Sequence, residues 1–159
     1  MQELANTAWA FAIEGQSDVQ LFAALARAAE RRLGDFNVQE LASTAWAFAT
    51  ARQSDAQVFA ALARAAARRL GEFNVQELAD TAWAFATARQ SDAQVFAALA
   101  RAAERRVSDF NMQVLANTAW AFATVSQSDA QLFAALARAA ERCMNESDTV
   151  NAATIGNFM

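Results

Sequence analysis

Apolar residues recur along this chain first at helical spacing and then at a longer fixed interval. Within residues 38–51, a projection at about 100° per residue puts Leu41, Ala45, Phe48 and Ala49 on one face, with Gln39, Ser43, Ala47 and Thr50 opposite. That stripe predicts a first helix, A. Asn37 suits its N-cap, Glu40 stands where a capping-box partner belongs, and Phe36 can pack on Leu41 as a hydrophobic staple. A second stripe of Val58, Phe59, Leu62, Ala66 and Leu70 predicts a helix B over about residues 55–70, with Gln57, Arg64 and Arg68 facing out. Ser54 with Gln57 repeats the capping-box pattern, Asp55 sits at the positive end, and Arg68 and Arg69 sit at the negative end. Gly71 then reads as a left-handed stop.

This pair is copied in tandem. Trp9, Trp46, Trp83 and Trp120 stand 37 residues apart, and residues 37–73 differ from residues 74–110 at only five positions. A fixed period of that length predicts an all-α chain, an α-solenoid of tandem 37-residue helix–turn–helix repeats in which each unit buries its apolar face against its neighbours. The array is expected over residues 1–142, in units of about 1–36, 37–73, 74–110 and 111–142, with 143–159 as a degenerate cap or tail. Met1 aligns with Val38, so the first unit lacks the Phe–Asn staple and cap and reads as cut out of a longer array. At the other end Asn145 takes the place of Gly71 as a helix stop. Asp148 can cap a decayed further helix, in which Ala152 replaces the leucine and Asn157 the tryptophan.

Composition sharpens this picture. About 28% of the chain is alanine, with four glycines and no proline, so nearly all of it should be helical. Small side chains let helices approach near the lower end of the usual ~8–10 Å spacing. The thirteen basic residues are all arginine, and histidine and tyrosine are absent. A net charge of −4 argues against coating nucleic acid through bulk positive charge. The single Cys143 cannot form an internal disulfide, which fits a reducing compartment, and it reads as an ordinary thiol. No apolar run approaches the roughly 20 residues of a membrane span, and no targeting segment is visible in the chain. Without histidine there is no ordinary Ser or Cys triad, zinc lacks its usual ligand clusters, and no glycine-rich phosphate loop occurs. Neither an enzyme, a cofactor nor a small-molecule substrate is expected.

The A string, Gln39 through Ala49 (QELASTAWAFA), and its copies from Gln2, Gln76 and Gln113 resemble the octotricopeptide and heptatricopeptide repeats. The B string from Phe59 to Arg64 (FAALAR) looks like their second helix. The resemblance covers about residues 1–142; the 37-residue period fits the heptatricopeptide name, whereas octotricopeptide units are one residue longer and often carry prolines, absent from this chain. It implies a helical-repeat protein of a mitochondrion or chloroplast, associated with RNA processing, translation and stability. Many relatives of this kind also end in a small RAP domain, which this chain does not show.

Repeats that read nucleic acid hold the scaffold constant and vary a few surface side chains. The clearest variable column on the polar face of helix A holds Asn6, Ser43, Asp80 and Asn117. These short groups can donate to or accept from a base edge, so four units would cover about four nucleotides; exposed positions drifting among polar residues give the same pattern. Gln39 and Thr50, with their counterparts, flank the column, and an uncharged stripe suits bases better than phosphates. Arg52 and Arg89, in the A–B turn, are the candidates for phosphate contact, with Gly15 and Ser126 in the matching places. A larger set, Arg27, Arg64, Arg101 and Arg138 with Arg31, Arg68, Arg105 and Arg142, lines the outer face. It suits oxyanions, though cations at helix C-termini and ion pairs with Asp35, Glu72 and Asp109 also account for it. The tryptophans read as packing between repeats. The leading expectation is a single-stranded RNA binder; the alternatives are a protein-interaction scaffold holding a peptide or helix in the concave groove, and a spacer in a large assembly.

Overall fold

The computed structural model describes the backbone of residues 1–127 and 129–156, and side chains as far as Ser147 apart from position 128. Among these residues it contains eight α-helices: α1 (Gln2–Ile13), α2 (Val19–Arg32), α3 (Val38–Thr50), α4 (Ala56–Ala67), α5 (Val75–Thr87), α6 (Ala93–Arg106), α7 (Met112–Thr124) and α8 (Ala130–Gly156). Odd-numbered helices are the A helices of four units and even-numbered ones the B helices. The chain is all-α and stacks as a solenoid, α1 on α3, α3 on α5, α5 on α7.

Capping explains where the helices begin. The Asn37 and Asn74 side chains accept from the backbone of Glu40 and Glu77, whose carboxylates accept back from the asparagine N–H groups, all at 2.8 Å. α1 has no side-chain cap. Helix B starts one residue later than the sequence pattern predicts: Asp55, rather than Ser54, is the N-cap and accepts from the N–H groups of Gln57 and Val58. Asp92 and Asp129 do the same in their units, and Asp18 accepts from the Leu21 N–H. A carboxylate at that place adds charge complementarity to the helix's positive end.

The helix ends depart from expectation twice. Gly71 is not left-handed; helix B closes instead in a short 3-10 turn, Leu70–Glu72, repeated at Leu33–Asp35 and Val107–Asp109. Among the described residues the left-handed ones are Gly15, Arg52, Arg89 and Ser126, one after each A helix. Nor does Asn145 stop a helix: α8 runs through it to Gly156. With neither a left-handed residue nor proline at that point, the hydrogen-bond ladder simply propagates. The roles expected of Asp148, Ala152 and Asn157 lie outside the described side chains.

The core runs along the array. A-helix neighbours pack far more closely on one another than B-helix neighbours do, which places the A helices on the inner side of the curve. Alanine makes this possible: Ala42, Ala45, Ala47 and Ala49 of α3, and Ala79, Ala82, Ala84 and Ala86 of α5, are all buried. Ala47, expected on the outward face, is fully enclosed because a central A helix is covered by the A helices on both sides as well as by its own B helix. The predicted B stripe of Val58, Phe59, Leu62, Ala66 and Leu70 is buried throughout. At each junction a B-helix phenylalanine meets the A-helix phenylalanine of the next unit edge-on. Phe22–Phe48, Phe59–Phe85 and Phe96–Phe122 all have ring centroids 5.2 Å apart. Such a pair adds about 0.5–1.5 kcal/mol to the burial of its rings.

A polar clamp links the units as well. Arg69 Nη1 donates to the Phe36 carbonyl at 2.6 Å, and Arg106 donates to the Phe73 carbonyl in the next unit. In the last unit Cys143 holds the equivalent place, its Sγ 3.6 Å from the Phe110 carbonyl. The thiol thus stands in a structural position, as a weak donor where the other units use a guanidinium.

Candidate nucleic-acid interface

Apart from Val38, Glu40, Val75 and Glu77 in the first turns, packing leaves each central A helix a single accessible stripe. In α3 it is Gln39, Ser43, Trp46 and Thr50, and in α5 Gln76, Asp80, Trp83 and Thr87. Steps of four, three and four residues keep these side chains on one line. Stacking of the helices turns the lines into rows along the inner face. The variable column is one such row: Asn6 is exposed, and Ser43, Asp80 and Asn117 are half-buried. Among the described residues Asn6, Ser43 and Asn117 have no side-chain hydrogen-bond partner, whereas Gln76 Nε2 donates to Asp80 Oδ1 at 2.8 Å.

The next row is aromatic. Trp46 and Trp83 stack with centroids 6.4 Å apart and planes at 27°, and Trp83 and Trp120 repeat this at 6.4 Å and 30°. The indoles do pack between repeats, as expected, but they also form part of the open groove: Trp9 and Trp120, at the ends, are each 47% exposed. Packing between repeats, the role expected of them, does not by itself include this exposure. The signal was present, because seven residues separate Gln39 from Trp46, two helical turns that return to nearly the same direction.

A cleft of about 270 Å³ opens where the column passes Ser43. Its walls are Trp9, Gln39, Ala42, Ser43, Trp46, Asn74, Gln76, Glu77 and Asp80, so the column, the glutamine row and the indoles meet there. Ser43 is the smallest member of the column, which leaves room above it. No cation lines the cleft. Burial pushes the Asp80 carboxyl above its usual range; the Gln76 hydrogen bond partly opposes this, and the nearby Glu77 charge adds to it. Glu77 is itself committed to capping Asn74. The hydroxyls of Thr50 and Thr87, in the flanking row, are enclosed and have no partner among the described residues.

Arg52 and Arg89 lie beyond the stripe, exposed at the end of α3 and α5, each with φ of 57°. Arg52 N–H donates to the Ala49 carbonyl and Gln53 N–H to the Phe48 carbonyl, the paired bonds of a Schellman stop, and Arg89 with Gln90 repeats them. Glycine takes this geometry freely, as Gly15 does, while another residue bears about 1–2 kcal/mol. Neither guanidinium has an ion pair among the described residues.

On the outer face the arginine rows are largely unneutralised. Among the described residues the arginine ion pairs are Arg32 with Asp35 at 3.6 Å and Arg69 with Glu72 at 2.7 Å, neither involving the main rows. Arg27, Arg31, Arg64, Arg68, Arg101, Arg105 and Arg138 have no hydrogen-bond or ion-pair partner among the described residues. The expected pairing with Asp35, Glu72 and Asp109 therefore does not account for these rows: Asp35 reaches Arg32, Glu72 reaches Arg69, Asp109 pairs with no arginine among the described residues, and Glu40 and Glu77 are used in capping. Among the described residues no group of His, Cys, Asp and Glu could hold a metal ion, and no helix is long and apolar enough to cross a membrane.

Comparison with known proteins agrees with the fold and gives it a setting. No curated protein matches the chain. The profile of a family described as RNA-editing substrate-binding complex 6 protein matches residues 1–158. A match over nearly the whole length, on an all-helical array, shows that the chain belongs to the RNA-editing substrate-binding complex 6 protein family.

Proposed function

We propose that this protein binds single-stranded RNA along the inner face of the array, with Asn6, Ser43, Asp80 and Asn117 reading bases and Arg52 and Arg89 contacting phosphates. The observation that carries the reading is the meeting of the variable column, at Ser43 and Asp80, with Trp9 and Trp46 in one cation-free cleft, on an indole row that Trp83 and Trp120 continue. Aromatic faces offer bases a stacking surface worth about 1–3 kcal/mol per base, and short polar groups beside them can select an edge. The left-handed backbone at Arg52 and Arg89 adds support, since strain is kept there, as at Ser126, where glycine serves in the first unit. The family's description supports RNA as the ligand and editing as the process. The likeness to octotricopeptide and heptatricopeptide repeats supports one unit per base and an organellar setting, for which we propose the mitochondrion.

Tryptophan fluorescence titration of the 159-residue chain against random single-stranded RNA pools, at two salt concentrations, tests this. Quenching with micromolar affinity and a shallow salt slope is expected, since few phosphates are contacted. Affinity no better than millimolar at low salt would overturn it. A second reading, a scaffold that holds a peptide or helix in the groove, draws on the exposed Trp9, Met112 and Trp120. Protein partners that survive ribonuclease treatment, in the absence of RNA quenching, would favour it.

A further inference from the structure

The cleft above Ser43 is unlike the rest of the groove, because it offers an anion and flat apolar walls together. Trp46 forms one wall with Trp9 facing the same space, and Asp80 stands across from Ser43. Trp46 and Trp83 are already stacked on each other, so the indole surface open to a guest is the one toward Trp9, which has no ring partner among the described residues. Gln76 occupies one side of Asp80 through Oδ1, and each carboxylate oxygen has more than one lone pair to offer. With no cation in the lining, a phosphate is excluded, whereas a neutral group rich in N–H donors is welcomed.

We propose that this cleft is a guanine subsite, in which the base lies against the Trp46 indole and its N1–H and N2–H groups donate to the Asp80 carboxylate. The assignment rests on the RNA-binding reading and narrows it to one base at one place. Guanine alone among the four bases presents two adjacent N–H donors on its Watson–Crick edge, matching the two oxygens of a carboxylate. Adenine and cytosine present one amino group beside a ring acceptor, which the carboxylate repels. Uracil presents one N–H between two carbonyl oxygens, the poorest match. The volume of about 270 Å³ leaves room for a purine base. Asp80 is half-buried with the Gln76 amide as its one hydrogen-bond donor and no cation in the cleft, so two further charge-assisted hydrogen bonds have a large effect there.

The test uses the full chain and two eight-nucleotide RNAs, one all uridine and one with a single central guanosine. The wild type is expected to prefer the guanosine RNA about tenfold, roughly what one well-placed bidentate pair discriminates. Asp80→Ser gives unit 3 the residue already present in unit 2 and so suits the helix; circular dichroism confirms that it folds. It is expected to bind both RNAs alike, and inosine in place of guanosine should lose part of the wild-type preference. RNA binding with an undiminished guanosine preference in Asp80→Ser would overturn the subsite and leave the broader reading standing. Absence of binding to either RNA would overturn both. Saturable quenching by an arginine-rich peptide, with no response to either RNA, would reassign the cleft to a cationic protein side chain.

Discussion

The two faces of this solenoid are made from the same repeat yet present opposite chemistry. On the inner face the A helices press together through alanine, and what remains accessible is one line of neutral groups and flat indoles. On the outer face the B helices stand further apart, and most of the long arginines there have no acidic partner among the described residues. Close approach admits only small or planar side chains, whereas a splayed surface admits long charged ones. The chain's net charge of −4 conceals this division, because many of its carboxylates are spent as helix caps and turn partners. A protein of modest overall charge thus carries a base-like groove on one side and an oxyanion-suited ridge on the other.

The contrast is most easily broken by size. Ala79 lies fully buried between A helices, so Ala79→Leu is expected to destabilise by about 1–3 kcal/mol, the cost of overpacking a tight core. Ala97→Leu on the exposed outer surface of α6 should change stability by less than about 0.5 kcal/mol. Urea unfolding of the two variants checks the pair, and similar costs would refute the account of the faces.

Next comes the clamp. Arg69→Ala removes the bond to the Phe36 carbonyl and the ion pair to Glu72, and should lower the thermal midpoint. Arg68→Ala, one residue away with no partner among the described residues, should leave it where it was.

The turn arginines sharpen the functional half of the comparison. Arg52→Gly relieves a left-handed backbone and is expected to stabilise by up to about 1 kcal/mol, part of the relief being offset by the freer unfolded chain. The same change should weaken RNA binding and reduce the salt slope by about 0.7 for one lost phosphate contact. A variant that gains stability and keeps its full affinity and slope would show that Arg52 does not touch phosphate.

The smallest effect concerns pH. The Asp80 carboxyl titrates above its usual range in the folded chain, so folding favours its protonated form. Stability from this residue is greatest below its unfolded value and is lost as pH rises through the folded one. Glu77 on the same helix is the charged group that adds to the displacement, and the Gln76 amide opposes it. Asp80→Asn is therefore expected to be slightly more stable than the wild type at neutral pH, with the difference vanishing in acid below the ordinary aspartate range. Thermal melts at neutral and acidic pH make the comparison.

Much of this was legible in the residues. The buried B stripe, the Asn37–Glu40 box and the polar column all follow from projection on a helix, since each depends on neighbours within one or two turns. Other features were not. Ser54 and Asp55 are both good caps, and choosing between them needs the path of the turn. Gly71 looks like a stop, but the tight 3-10 turn that carries Phe73 into the core needs no left-handed residue, while Arg52 takes that geometry without any signal in its side chain.

What the linear order of residues determined was periodicity: which positions share a face, where helices begin, and that equivalent side chains line up in rows. Tertiary structure alone decided which rows meet solvent and which lie close enough to act together. Ala47 is buried and Trp46 opens onto a groove because stacked helices cover each other on sides that a single helix cannot foresee. Helical projection is set by short-range bonds within a segment, whereas coverage is set by contacts between units a full repeat apart.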